Sequence, residues 1–384
     1  MLGAALLAPV AQAQVTLYGR LHVGVDSYTA SGGTAGSGLK SRLRVYDQNS
    51  RLGVRVAEAL GGGLRAIAQI ESGVNIDSGG NTGQAGQTNV SSGFLASRDS
   101  FVGVDHHDYG RLTLGRQSIW WLNGRIIQTA STYAHAELPW VTGQMGRLSM
   151  GIIRNSDTVQ YTTPTLAGAN LILSWSPNAA TGGAPFVNSE SRQADQYANA
   201  RVIGVTLRWA QGPLATQLDF GHKRNATDVT PGRLARNTGW KWLGGWTYAP
   251  DSQIAAIVIR MKNADVSGAA GFSAAGDDLT QVGYGLAWEH RITANVQVFG
   301  QIGALGRVSG CSIADACGAT RSRGWMIGAR YTFSKRTSVY ASFNMTRNEA
   351  NQTTDYVSSS ITSALPLPPG ADPRIAAVGI IHTF

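Results

Sequence analysis

The feature that most constrains this chain is a period-two alternation of apolar and polar residues. From Val15 to Val25 the odd positions are apolar or glycine, and the even positions are polar or glycine. Similar alternation returns near Arg51, Arg201 and Trp240. Because successive side chains of a β-strand point to opposite faces, the pattern predicts strands with one apolar and one polar face. No apolar stretch reaches the roughly 18 to 20 residues that a spanning helix needs, which excludes a helical membrane protein.

The connections between candidate strands separate a barrel from a soluble sandwich. Sixteen candidate strands begin near Val15, Ser50, Leu64, Arg98, Arg111, Thr158, Asn170, Arg201, Leu214, Thr238, Ser252, Leu279, Asn295, Arg323, Thr337 and Arg374. The gaps between them are alternately long and short, so one end of an up-and-down sheet carries the long loops and the other carries tight turns. That asymmetry is typical of an outer-membrane barrel with short periplasmic turns and long extracellular loops.

The predicted fold class is therefore all-β, a sixteen-stranded antiparallel transmembrane β-barrel. The alternative is a soluble all-β protein, which would have to bury the apolar face of this sheet against a second sheet. Only 14% of the residues are charged, and Lys and Glu are too few to cover a large soluble surface.

The first thirteen residues form a short apolar run that ends in Ala11-Gln12-Ala13. Small residues at the last and third-last positions suit a signal peptidase, so residues 1–13 are expected to be a signal peptide. Its start is expected to be truncated, because the basic head is missing, and residues 14–384 are expected to form the mature barrel. The alternative is an ordinary apolar N-terminus.

Export would place Cys311 and Cys317, which lie in the seventh long gap, in an oxidising compartment. A disulfide between them is therefore the favoured interpretation. The alternative, a metal site, would need further ligands nearby, and the sequence around the two cysteines offers none.

A barrel of about sixteen strands is too wide for its own side chains to fill, so its inner face surrounds an aqueous passage. The alternation directs Arg20, Arg51 and Arg65 to that face, and Arg116 is a further candidate. An arginine in the middle of a strand would otherwise face lipid, at a cost of ~2 to 4 kcal/mol. Because acidic candidates for the inner face are fewer, the passage is predicted to prefer anions.

The longest gap, residues 117–157, is more apolar than an ordinary solvated loop. It contains Ile119-Trp120-Trp121 and Pro139-Trp140, which should be covered by other residues. Two interpretations remain open at this point. The segment is either a loop folded into the barrel that narrows the passage, or an outer loop with a small core of its own.

Several motifs resemble one family, the Gram-negative general porins of β-proteobacterial type. Gln14-Val15-Thr16-Leu17-Tyr18-Gly19-Arg20 resembles the opening strand of that family. Ser50-Arg51-Leu52-Gly53-Val54-Arg55 resembles its second strand, and Val378–Phe384 resembles its terminal strand with an aromatic last residue. In pattern the resemblance covers essentially all of residues 14–384, with its specific motifs in the first 165 residues and the last ten.

The resemblance implies a homotrimer in the cell outer membrane, a third loop folded into the pore and passive diffusion of small hydrophilic solutes. The expected partners are outer-membrane lipid, lipopolysaccharide, and small hydrophilic solutes and anions. By position, Arg20, Arg51, Arg65 and Arg116 match the basic pore wall of the family. Its third loop carries an acidic segment, of which Glu137 is at best a remnant here.

Other functions are not indicated by the sequence. His106-His107-Asp108 is interpreted as a solvated short turn, and neither a metal site nor a cofactor is expected. No Gly-x-Ser-x-Gly turn is present, so the chain is not expected to be an enzyme. The net charge of +9 does not by itself indicate nucleic-acid binding, and none is expected. The alternative functions are an outer-membrane adhesin or receptor that acts through its long loops, and a barrel-borne hydrolase.

Overall fold

The computed structural model describes residues 13–33, 39–77, 95–120, 126–127, 145–150, 154–177, 201–225, 229–233, 235–356 and 367–384. Glu137 and all but the last residue of the expected signal peptide lie outside the described residues. The strands are β1 (Gln14–Gly32), β2 (Leu39–Asp47), β3 (Arg51–Gly61), β4 (Leu64–Gly73), β5 (Ser100–His106), β6 (Gly110–Ser118), β7 (Arg154–Thr162), β8 (Ala169–Ser176), β9 (Arg201–Gln211), β10 (Leu214–Arg224), β11 (Arg236–Ala249), β12 (Ser252–Ala264), β13 (Leu279–Arg291), β14 (Val296–Leu305), β15 (Ser322–Thr332), β16 (Thr337–Asn348) and β17 (Ala371–Thr383). In the described part of the chain, no helix is long and apolar enough to cross a membrane.

The strands form one closed antiparallel sheet. β1 pairs with β17 from Arg20↔Thr383 to Gly32↔Ala371, which joins the two ends of the sheet. β2 and β3 lie end to end beside β1, because β3 pairs with its first half and β2 with its second half. Because β2 and β3 together occupy one position in the barrel wall, the seventeen segments make sixteen barrel strands. The predicted sixteen-stranded barrel is therefore confirmed.

The break between β2 and β3 is the main difference from the predicted strands. The residues between the first two candidate strands are predicted to form a loop, whereas in the structure β1 continues to Gly32 and β2 follows it. The alternation of β2 is present in the sequence, since Leu43 and Val45 alternate with Arg42 and Arg44, but it lies inside the long gap between the first two candidate strands. The chain then bends at Asn49, which has a φ of 57°, and Asp47 Oδ1 accepts the N–H of Ser50 at 3.0 Å. Asparagine tolerates this left-handed conformation better than most residues.

The connections confirm the predicted asymmetry. Seven short connections lie at one end of the barrel, called here the short-turn end, at residues 62–63, 107–109, 163–168, 212–213, 250–251, 292–295 and 333–336. The longer connections lie at the opposite end, called here the long-loop end. A meander of antiparallel strands produces this arrangement, because every second connection emerges on the same side.

The outward face of the barrel is apolar and exposed. Leu43 is 79% exposed and Val15 is 65% exposed, although both lie within strands. Outward aromatic side chains form two girdles: a long-loop girdle of Trp175, Trp240, Tyr284 and Trp325, and a short-turn girdle of Trp246, Trp288, Tyr331 and Phe333. Such girdles mark the two interfaces of a membrane, so the apolar band between them faces hydrocarbon.

Three glycines form a recess on the inner wall. Gly221 lies directly opposite Gly204 on one neighbouring strand and Gly239 on the other. A Cβ on Gly221 would lie 2.6 Å from Cδ1 of Trp120, and one on Gly239 would lie 2.8 Å from Sδ of Met150. The absence of side chains at these positions therefore lets the residues after β6 lie flat against the wall inside the barrel.

Polar side chains of β10 and β11 hold this inward segment in place. Lys241 Nζ donates to the carbonyl oxygen of Trp120 at 3.0 Å and pairs with Asp219 Oδ2 at 3.2 Å. Gln217 Oε1 accepts the N–H of Ile126 at 3.3 Å. Because Lys241 and Asp219 are almost fully buried, their pairing depends on keeping this segment in place.

The described parts of the third long loop contribute to an apolar cluster inside the barrel. The cluster joins loop residues to inner-wall residues, including Ile119, Trp120, Ile127, Met145, Leu148, Met150, Leu243, Ile257 and Ile259. Residues 119–120, 126–127 and 145–150 therefore lie inside the barrel, as expected for a third loop that folds inward. The rest of the loop lies outside the described residues.

We expect Gly221→Leu to displace the segment that carries Trp120. The added side chain would occupy the space of the indole ring, and overpacking of this kind typically costs about 1–3 kcal/mol. Single-channel recording should show an altered conductance, while Gly300→Leu should leave the conductance unchanged because no atom lies within 3.4 Å of its added Cβ. A normal conductance for Gly221→Leu would contradict the packing described above.

Candidate functional site

Four arginines lie together on one side of the barrel, and they are called here the basic wall: Arg20, Arg51, Arg98 and Arg154. Arg20 on β1 and Arg51 on β3 are direct register partners. Arg98 precedes β5, and Arg154 begins β7. The side chain of Arg51 remains 28% exposed, whereas those of Arg98 and Arg154 are below 10%. The first two arginines were predicted from the alternation.

Two carboxylates partly neutralise the basic wall. Glu71 Oε1 accepts a hydrogen bond from Arg98 Nε at 2.5 Å, and Glu71 Oε2 lies 3.8 Å from Arg51 Nε. Asp99 Oδ1 accepts from Arg154 Nε at 3.0 Å. Among the residues that the structure describes, these four guanidinium groups face two carboxylates, which is an excess of two positive charges. A cluster with this balance has a positive local potential.

A histidine and two tyrosines position Arg20. Arg20 Nη2 lies 3.0 Å from His22 Nδ1, and His22 Nε2 lies 2.8 Å from the hydroxyl of Tyr340, which in turn contacts the hydroxyl of Tyr46. Because a guanidinium can only donate, His22 Nδ1 accepts the hydrogen bond from Arg20. His22 Nε2 therefore carries the ring proton and donates a hydrogen bond to the hydroxyl oxygen of Tyr340. The fully buried imidazole is therefore held neutral and orients the guanidinium without cancelling its charge.

Sequence reasoning missed this network, although glycines on the polar face signal it. A Cβ on Gly24 would lie 2.5 Å from the Tyr46 hydroxyl oxygen, and a Cβ on Gly379 would lie 2.7 Å from the ring of Tyr340. Both rings therefore lie flat on the wall over a glycine of the neighbouring strand. A glycine that interrupts a polar face opposite a tyrosine is the pattern that would have indicated them.

Arg65 lies on the inner face, but apart from the basic wall. It is six residues from Glu71 along β4, or roughly 20 Å in an extended strand, and it lies at the short-turn end. Its guanidinium pairs with Asp105, which also accepts from Arg111 Nε at 3.3 Å. More than half of the Arg65 side chain is exposed, so it belongs to the mouth of the barrel.

The structure corrects the expected position of Arg116. The side chains of Thr113 and Gln117 are buried on the inner face of β6 and are bonded to each other at 2.7 Å. Arg116 has the opposite parity, so it lies on the outward face together with Leu114. Its guanidinium donates to the carbonyl oxygen of Ser97 at 3.1 Å and to a serine hydroxyl of β7 at 3.2 Å. A register shift between β6 and β7 beside Arg116 lets these bonds form, and the sequence pattern does not reveal it.

Three further parts of the sequence prediction remain, namely Glu137, the two cysteines and the turn with His106 and Asp108. Glu137 lies outside the described residues, so its role stays a prediction. Cys311 and Cys317 are joined by a disulfide between β14 and β15 at the long-loop end. The turn with His106 and Asp108 brings three possible ligand atoms together, but both ring nitrogens of His106 are already bonded to backbone groups.

Asp355, at the long-loop end, adds a titratable charge near β1, the strand that carries Arg20. The hydroxyl of Tyr28 on β1 donates to Asp355 at 3.1 Å, and the N–H of Tyr356 donates to it at 2.8 Å. Burial raises the pKa of Asp355 to about 6, although these hydrogen bonds oppose the shift. Asp355 is therefore mostly ionised at pH 7 and mostly neutral at pH 5.

Comparisons with known proteins agree with this architecture. A sequence model of the Gram-negative porins matches residues 1–351. An outer membrane porin protein of Bordetella pertussis is 28% identical, across 91% of this chain and 94% of that relative. The major outer membrane protein P.IB of Neisseria lactamica is 26% identical, across 88% and 89%. The solved anion-selective porin from Comamonas acidovorans has a TM-score of 0.69 at 20% identity, covering 97% of this chain and 100% of that one.

We expect the charge selectivity of the barrel to change as pH falls through about 6. Protonation of Asp355 removes a negative charge at the long-loop end, so the preference for chloride over potassium should increase between pH 7.5 and pH 5. Reversal potentials in a KCl gradient measure this change. In Asp355→Asn the increase should be absent, and a wild-type increase retained in that variant would assign it to another group.

Proposed function

The chain belongs to the family of Gram-negative porins, and we propose that its basic wall makes the channel prefer anions. The protein is an outer-membrane channel for the passive diffusion of small hydrophilic solutes. The observation that carries the proposed selectivity is the set of four guanidinium groups facing two carboxylates on the inner wall. The solved Comamonas acidovorans relative, which shares the fold, is described as anion-selective.

We infer that the open part of the cross-section lies beside the basic wall. On the opposite side, the inner-wall residues Ile257, Ile259 and Met261 are at most 1% exposed and belong to the apolar cluster that includes the inward loop. Arg51, by contrast, keeps 28% of its side chain accessible. Solutes that cross the barrel therefore pass the arginines rather than the apolar side.

Simple electrostatics gives the size of the effect. A unit charge at about 6 Å from an ion in water contributes about 0.7 kcal/mol, so an excess of two positive charges contributes about 1.4 kcal/mol before screening. Salt at physiological strength reduces this figure, because the screening length is then only about 8 Å. The expected preference for chloride over potassium is thus a few-fold, which is typical of a wide channel rather than a selective filter.

Planar-bilayer recording in a KCl gradient tests the proposal. The wild-type reversal potential should favour chloride, and Arg51→Gln should lower the chloride-to-potassium permeability ratio about two- to threefold, because it removes one charge from the passage. Arg323→Gln is the matched control, since it removes the same charge from the exposed outward face of β15, and it should leave the ratio unchanged. A wild-type preference for potassium, or equal effects of the two substitutions, would contradict the proposal.

The functional unit is proposed to be a homotrimer, and the distribution of outward aromatics supports this. The aromatic girdles run over β8 to β15. The outward positions of β3, β4, β5 and β6 are instead largely aliphatic, including Leu52, Val54, Val56, Ala66, Ala68, Ile70, Val102, Val104, Leu112 and Leu114. A face that meets lipid headgroups usually carries Trp and Tyr, so an aliphatic face fits contact with neighbouring copies.

We expect Ala68→Arg on this aliphatic face to reduce trimer formation. An arginine forced into an apolar contact costs a few kcal/mol at the membrane centre. Ala256→Arg is the matched control, because Ala256 lies on the outward face of β12. Cross-linking in mild detergent should show monomers for Ala68→Arg and trimers for Ala256→Arg. Trimers that persist in both variants would place the contact elsewhere.

Export through a signal peptide at residues 1–13 is also part of the proposal. It is supported by the start of β1, since Gln14 already pairs with Ala57 of β3. The intact mass of the protein purified from outer membranes tests it, and the proposal requires a chain that begins at Gln14.

A further inference from the structure

The disulfide constrains an outer loop at the long-loop end of the barrel. Cys311 and Cys317 close the segment 311–317 between β14 and β15, called here the disulfide loop. Asp315 has a φ of 58° and Ala319, just after the loop, has a φ of 50°, a region that residues other than glycine seldom adopt. Because a cross-link removes many alternative conformations of the segment that it closes, the disulfide favours this backbone.

Asn351, in the connection between β16 and β17, binds that backbone. Its Nδ2 lies 2.8 Å from the carbonyl oxygen of Gly318, 3.2 Å from that of Ala316 and 3.4 Å from that of Asp315. Its backbone N–H donates to the carbonyl oxygen of Ala319 at 2.9 Å. These acceptors converge on one residue only while the disulfide loop keeps its conformation. The contact of Asn351 therefore depends on the disulfide.

On its other side, Asn351 holds a turn of the third long loop. Residues 145–148 form this turn, called here the third-loop turn, in which the N–H of Met145 donates to the carbonyl oxygen of Leu148 at 2.8 Å. Arg147 Nε donates to the carbonyl oxygen of Asn351 at 2.7 Å. One residue thus contacts both the disulfide loop and a part of the third loop that lies inside the barrel.

The third-loop turn packs closely against its neighbours. Arg147 Cζ lies 4.5 Å from the centre of the Phe272 ring, which belongs to the connection between β12 and β13. A Cβ on Gly146 would lie 2.6 Å from Gln352 Oε1, so the turn passes directly beside the connection between β16 and β17. Both cysteines pack against the apolar cluster to which the turn contributes. A change in the disulfide loop can therefore reach the turn through direct contacts.

A second set of contacts anchors the same stretch to the barrel wall. Asn237 on β11 and Asn263 on β12 each donate from Nδ2 to the carbonyl oxygen of Ser149 at 3.1 Å. Arg154 of the basic wall begins β7 shortly afterwards in the chain. Loss of the Asn351 contact would therefore loosen the third-loop turn without releasing the whole loop.

We propose that Asn351 is a positioning residue of the channel, which couples the disulfide to the third loop. A dithiol reductant breaks the protein S–S bond by transferring two electrons and two protons to it, which gives two cysteine thiols and the cyclic disulfide of the reductant. The disulfide loop then loses its conformation, Asn351 loses its acceptors, and the third-loop turn is loosened. The proposal rests on the channel function and is independent of the ion selectivity proposed above.

Hydrogen exchange of the purified protein in mild detergent tests the coupling. The amide of Met145 should exchange about tenfold faster after reduction with a dithiol, the effect of losing about one charge-assisted hydrogen bond. Cys311→Ser/Cys317→Ser should show the same faster exchange without a reductant. The amide of Ile126, which is bonded to Gln217 in another part of the third loop, should keep its wild-type rate, because only general unfolding would accelerate both amides.

Asn351→Ala tests the residue itself. The variant should give the same faster exchange of the Met145 amide, and a dithiol should add nothing further, because the link between the disulfide and the turn is already broken. Asn295→Ala is the matched control, since it removes an asparagine side chain at the short-turn end, and it should respond to the dithiol as the wild type does. Additive effects of Asn351→Ala and the dithiol, or unchanged exchange after reduction, would overturn the proposal.

Bilayer recordings of the same proteins connect the coupling to the channel. The open-channel current noise should increase in Asn351→Ala and in the reduced wild type, whereas Asn295→Ala should become noisier only after reduction. Noise that neither Asn351→Ala nor the dithiol changes would overturn the role of Asn351 in the channel. A potassium preference in the wild type, with the coupling intact, would overturn the selectivity proposal alone.

Discussion

Pairing between β1 and β17 is the interaction on which the rest of the structure depends. In hydrocarbon an unpaired backbone N–H or C=O costs several kcal/mol, so a spanning sheet has to close on itself. The seam extends to the last residue, because the N–H of Gly19 donates to the carbonyl oxygen of Phe384 at 3.0 Å. Once the sheet is closed, every strand position faces either lipid or the interior. The period-two pattern then indicates which of these two environments each residue faces.

The interior is divided between two kinds of surface. On one side, Ile257 and Ile259 belong to a buried apolar cluster with Trp120 and other residues of the inward loop. Lys241 and Asp219 hold that loop through the backbone of Trp120. On the other side, arginines outnumber carboxylates among the described residues, and Arg51 keeps 28% of its side chain accessible. The described residues of the loop thus cover the apolar wall, and the proposed passage runs beside the charged wall.

The sequence predicts the number of barrel strands, the difference between the two ends of the barrel, and the inward direction of Arg20 and Arg51. All three follow from alternation within single strands and from the lengths of the connections. The expected inward position of Arg116 disagrees with the alternation of β6 itself, because Arg116 shares the parity of the outward Leu114. Its bonding partners, however, depend on relations between strands, because they come from an irregular segment and a register shift. Arg98 lies in such an irregular segment, where no period exists. The contact of His22 with Tyr340 joins residues 318 positions apart, which no local pattern records.

The most direct test of the account is chemical control of the charge at position 51. Arg51→Cys channels in a bilayer are treated with a positively or a negatively charged thiol reagent, and the native cysteines do not react because they form a disulfide. The account predicts that the positive reagent restores the preference for chloride and that the negative reagent shifts selectivity toward potassium. Ile257→Cys, on the covered wall, should respond to neither. No response at position 51, or an equal response at position 257, would contradict a passage that runs beside the arginines.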